Sequence, residues 1–71
     1  MPSPQRQSRL YAIKSHAQSE IALLKEEINI FLDHPVGVAS HQNPLTDVTD
    51  MIDKIAVQRG IIDTIEREFE G

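Results

Sequence analysis

Apolar residues recur in the first half of the chain at Leu10, Ile13, Ala17, Ile21, Leu24, Ile28 and Phe31, in steps of three and four. That spacing draws one stripe along a helix. No Gly or Pro falls between Gln5 and Asp33. Ser3 before Pro4 is a preferred helix start, since the hydroxyl caps a backbone amide and proline needs none. The pattern predicts a helix over about 4–32. At ~1.5 Å per residue this is a rod of roughly 43 Å. One step departs from a strict heptad, which predicts a nearly straight helix without tight coiled-coil winding. His34-Pro35 ends it, because the residue before proline is driven out of helical geometry.

The second half repeats the signals. Asn43-Pro44 is a cap followed by a first-turn proline. The stripe that follows is Leu45, Val48, Met51 or Ile52, Ile55, Ile62, Ile65 and Phe69, broken once at Gln58 or Arg59, with Gly60 inside it. This predicts a helix over about 44–70, a loop over 34–43 and a short tail over 1–3. Asp47 and Asp50 stand near the helix start, where the dipole favours carboxylates. The whole chain, 1–71, reads as a single domain.

Two long helices joined by a short loop lie antiparallel. The fold class expected is therefore all-α, an antiparallel two-helix hairpin. Reflecting the chain about the loop puts Ala17 opposite Gly60, so that two small residues meet. It sets Arg9 against Glu68 and Arg6 beside Glu70, and turns Ile13, Ile21 and Ile28 toward Ile65, Ile55 and Val48. In this register Gly60→Leu disrupts the hairpin by overpacking against Ala17.

The apolar surface is wider than one seam. The first helix also carries Ala12, Leu23, Ile30 and Leu32; the second carries Val57 and Ile61. A lone hairpin uses one stripe per helix, so the second stripes predict dimerisation into a four-helix bundle or packing on a larger partner. The expected interface is Leu10, Ile13, Ala17, Ile21, Leu23, Leu24, Ile28, Ile30 and Phe31 on the first helix. On the second it is Val48, Ile52, Ile55, Val57, Gly60, Ile61, Ile62, Ile65 and Phe69.

Size sharpens that expectation. The chain has 71 residues, a mass of 8.0 kDa, a net charge of -4 and no cysteine. Chains this short bury a core with difficulty and lean on disulfides, metals or partners. Disulfides are excluded, so the partner is either another copy or a different protein. An acidic chain with scattered Lys and Arg is a poor binder of nucleic acid. No apolar run reaches the ~20 residues of a membrane span, and no signal-peptide core follows the N-terminus. The chain is expected to be soluble and cytoplasmic, with no membrane partner and no small-molecule substrate.

Candidate chemistry is sparse. The loop residues Val36, Gly37 and Val38 are apolar for a connection; they form either a recognition tip or a plug folded back near Phe31, Leu32 and Leu45. His34 and His41, near Asp33 and Asp47, match no metal-ligand spacing. His16 stands on the first helix, exposed or at an oligomer edge, and across a symmetric interface it makes assembly pH-sensitive. Glu26 and Glu27 with Asp47, Asp50 and Asp53 resemble the paired acids with which all-α pyrophosphohydrolases hold magnesium, but the third acid of the first helix is missing. Ser15, Ser19 and Ser40 have no base that spacing assigns to them. No catalytic, cofactor-binding or metal residue is assigned, and the chain is read as a non-enzyme.

From Phe31 the chain reads Phe-Leu-Asp-His-Pro-Val-Gly-Val-Ala-Ser-His-Gln-Asn-Pro-Leu, then an acidic amphipathic helix ending Ile65-Glu-Arg-Glu-Phe69. Over about 28–69 this resembles small helical-hairpin proteins of large tailed bacteriophages. Gln42 and Asn43, between His41 and Pro44, depart from that group's tighter turn. The resemblance implies a hairpin fold and a phage setting, in the host cytoplasm or the virion, and it carries over no site residue. Three functions follow in order of expectation. The first is a non-catalytic assembly or structural protein acting through helix-face packing, such as a virion or accessory component. The second is a small regulator of a host enzyme or complex. The most remote is a metal-dependent all-α pyrophosphohydrolase.

Overall fold

The computed structural model describes residues 3–33 and 44–70, without the side chain of Pro44. Two helices make up the fold: α1, Pro4–Asp33, and α2, Pro44–Glu68. They pack side by side and antiparallel in a body with principal extents of 53 × 15 × 15 Å. The expected boundaries hold to within two residues at each end. Ser3 is the cap that spacing suggests. Its Oγ accepts from the Arg6 amide at 3.0 Å, and its carbonyl accepts from Gln7. At the far end, the amides of Phe69 and Glu70 both donate to the Ile65 carbonyl and close the last turn of α2. The expected valine loop, His34, His41 and the Asn43 cap lie outside the described residues.

Among the described residues five apolar side chains are buried: Ala17, Ile21 and Ile28 on α1, Met51 and Ile65 on α2. Half-buried residues complete the seam. On α1 the run is Leu10, Lys14, Ala17, Ile21, Leu24, Ile28 and Phe31; on α2 it is Val48, Met51, Ile55, Gln58, Ile62 and Ile65, with the more open Phe69 continuing it. Both runs alternate steps of three and four without a break. This is a strict heptad seam, the pattern of coiled-coil packing. It corrects the expected stripe at one position and decides two that spacing left open. Lys14, not Ile13, continues the α1 seam. Met51, not Ile52, is buried, and Ile52 is half exposed. Gln58 stands in the seam, and Arg59 points out. Met51 and Ile52 are both apolar, so hydrophobicity alone could not choose between them, and at 13 and 14 it favours Ile13, the residue the seam leaves out. The pairing of the two helices makes the choice.

The register differs as well. Leu10 and Phe69 wall the same two depressions at one end of the hairpin, and Phe31 shares a concavity with Met51 at the other. Counted residue for residue from these two anchors, Ala17 falls level with the stretch from Ile62 to Ile65, and Gln18 with that from Ile61 to Thr64. Gly60 does not meet Ala17: a Cβ built on it finds no atom within 4 Å. The small-to-small pairing is therefore absent, because the heptad phase of α2 turns Gly60 away from the seam. Leu45, placed by spacing on the α2 stripe, is also turned out and is 77% exposed.

Candidate functional site: two flanks of an open hairpin

The charges at the free ends organise one flank. Lys14 Nζ donates to Glu70 Oε1 at 2.8 Å and lies 3.7 Å from Glu66 Oε2. Arg6 Nη2 donates to the Phe69 carbonyl at 3.1 Å, with its guanidinium 5.9 Å from the Phe69 ring centroid. The expected pairs of Arg9 with Glu68 and Arg6 with Glu70 do not form. Their physical purpose is met by other cations. Acids at the end of α2 oppose its dipole, and Lys14 and Arg6 bring positive charge to that end. Lys14 reaches them because it sits in the seam.

The hydrogen bond to Glu70, with the nearby charges of Glu70 and Glu66, raises the Lys14 pKa above its ordinary 10.5 against a smaller opposing effect of desolvation. The folded-state value lies above the unfolded one, so the contribution is whole below pH 10.5 and is lost as pH rises through the folded value. Thermal unfolding followed through that alkaline range should show a loss of stability in the native chain that Lys14→Met lacks. Parallel curves for the two chains would remove this role from Lys14.

The other flank is apolar and open. Leu10, Ile13, Val57, Gly60, Ile61, Thr64, Ile65 and Phe69 line a shallow groove. Ile13, Val57 and Phe69 are each about half exposed or more, and Ile61 more than a third. Further along, Glu27, Phe31, Asp47, Asp50, Met51 and Lys54 line a second concavity. Lys54 stands one and two turns from Val57 and Ile61, so both depressions lie on this flank. Steps of three and four from Ile13 add His16, Glu20, Leu23, Glu27 and Ile30 to it. His16 Nε2 lies 3.9 Å from Glu20 Oε1 on the same helix.

The expected interface residues thus divide. Ala17, Ile21, Ile28 and Ile65 are consumed by the hairpin's own seam, and Leu10, Leu24, Phe31, Val48, Ile55 and Ile62 are half consumed. Ile13, Leu23, Ile30, Ile52, Val57, Gly60, Ile61 and Phe69 stay exposed. Sequence reasoning missed Tyr11, 71% exposed on the Lys14 flank. Of the acids considered for magnesium, Glu27, Asp47 and Asp50 meet at one concavity, joined by Lys54, while Glu26 and Asp53 are exposed. Among the described residues no group of three His, Cys, Asp or Glu is placed to hold a metal ion. No described helix is long and apolar enough to cross a membrane.

What fold and surface define is a class: a small all-α hairpin with a heptad seam and an apolar flank left open. Comparison with known proteins finds no matching family model, no similar curated protein and no similar solved structure.

Proposed function

We propose that this chain is a non-catalytic assembly protein that works by packing an open helix face against another helical surface. One observation carries the reading. Among the described residues, ten large hydrophobic side chains are exposed, against five buried apolar ones. Exposed apolar side chains in that number favour association, since each Å² of apolar surface removed from water is worth about 25 cal/mol.

Thermal unfolding by circular dichroism, over a hundredfold range of chain concentration, tests the reading. A midpoint that rises with concentration supports assembly with itself. A chain poorly helical at every concentration supports assembly with a different protein. A stable, fully helical chain with a constant midpoint, unchanged by Val57→Lys, would remove the function assigned to the open flank.

A further inference from the structure

The apolar flank carries charges that the chain does not use. Arg9, Glu27, Lys54 and Glu68 make no ion pair among the described residues. All four lie on the flank that holds the Ile13–Ile61 groove, at steps of three, four or seven from its residues.

Resting on the assembly reading, we infer that the occupant of this flank is a second copy of the chain, laid antiparallel about a two-fold axis at Gln18 of α1 and Ile61 of α2. An isologous contact requires one patch to be complementary to itself when reversed. The α1 flank reads Arg9, Ile13, His16, Glu20, Leu23, Glu27. Reversed about Gln18, Arg9 meets Glu27, Ile13 meets Leu23, and His16 meets Glu20. Arg9 on Glu27 brings opposite charges together, Ile13 on Leu23 brings apolar side chains together, and His16 on Glu20 sets an imidazole against a carboxylate; only at the end of the flank does Ile30 meet a charge, Arg6.

Helix α2 extends the pairing. Counted inward from Leu10 and Phe69, which wall the same depressions, Gln18 comes level with Ile61, and one axis then serves both helices. About Ile61, Lys54 of one copy comes level with Glu68 of the other, and the two Ile61 side chains meet at the centre. The axis also falls at the middle of α1, which spans Pro4–Asp33, so the copies overlap along that whole helix. Glu27 shares its concavity with Asp47, Asp50 and Lys54, so three acids to one cation surround the seat of the incoming Arg9. The opposite flank lacks this symmetry: Lys14 there is already committed to Glu66 and Glu70.

The test combines mass, charge reversal and cross-linking on the full chain. Sedimentation equilibrium should give a dimer. Arg9→Glu should weaken it on the order of tenfold, because two symmetry-related attractions become repulsions. Glu27→Arg should do the same, and the double variant should recover the native affinity. The chain has no cysteine, so single cysteines report cleanly. Ile61→Cys should be joined to itself by a short bismaleimide, and Tyr11→Cys on the other flank should not. A dimer joined equally through Tyr11→Cys, or one whose double charge reversal stays weak, overturns this pairing and leaves assembly standing. So does a poorly helical monomer, which points to a different protein as occupant. A stable, fully helical monomer overturns both. Circular dichroism of each variant separates lost association from lost fold.

Discussion

Ile65→Ala should cost about 2–4 kcal/mol, the range for emptying a buried isoleucine site. Ile65 is 6% exposed and, with Met51, is buried on α2. A chain of 71 residues has a total stability of roughly 4–11 kcal/mol at 0.05–0.15 kcal/mol per residue. The substitution therefore removes a large share of what holds the hairpin together. Ile52→Ala deletes the same atoms from a half-exposed side chain and should stay within about 0.5 kcal/mol. Urea denaturation of the two variants at one chain concentration measures the contrast. Equal costs would mean that the heptad phase of α2 is not Met51–Ile55–Gln58–Ile62–Ile65.

The second large effect concerns two small residues of opposite character. Ala17 is 1% exposed and stands in the seam, facing α2. Ala17→Leu forces three extra carbons into that layer and should destabilise the hairpin by about 1–3 kcal/mol. Gly60→Leu should do the reverse. Its Cβ meets nothing within 4 Å, and replacing glycine inside a helix recovers up to about 1 kcal/mol of backbone entropy. Thermal melts of both variants, taken dilute enough that further dilution leaves the midpoint unchanged, check the pair. A destabilising Gly60→Leu would restore the register in which Ala17 and Gly60 meet.

These contrasts show what was legible in the chain. Helix positions, the Ser3 cap and the antiparallel hairpin follow from local rules: apolar spacing, proline geometry, and a connection too short for any other packing. The surplus of apolar positions was legible too, since ten large hydrophobics among the described residues stand exposed. The heptad phase was not. Lys14 sits in a seam position that hydrophobicity assigns to Ile13, and its long stem covers apolar surface while its ammonium reaches Glu66 and Glu70. Reading that choice requires knowing where the acids of α2 come to rest.

The sequence by itself determined the elements, their order and the excess of apolar surface, because each depends on neighbours within about one helical turn. Only the tertiary structure decided which of two adjacent apolar residues is buried, which cation answers the acids of α2, and that Gly60 faces open space. A rotation of either helix by one residue is nearly free in local terms. It exchanges the seam for the flank, and only the facing helix distinguishes the two.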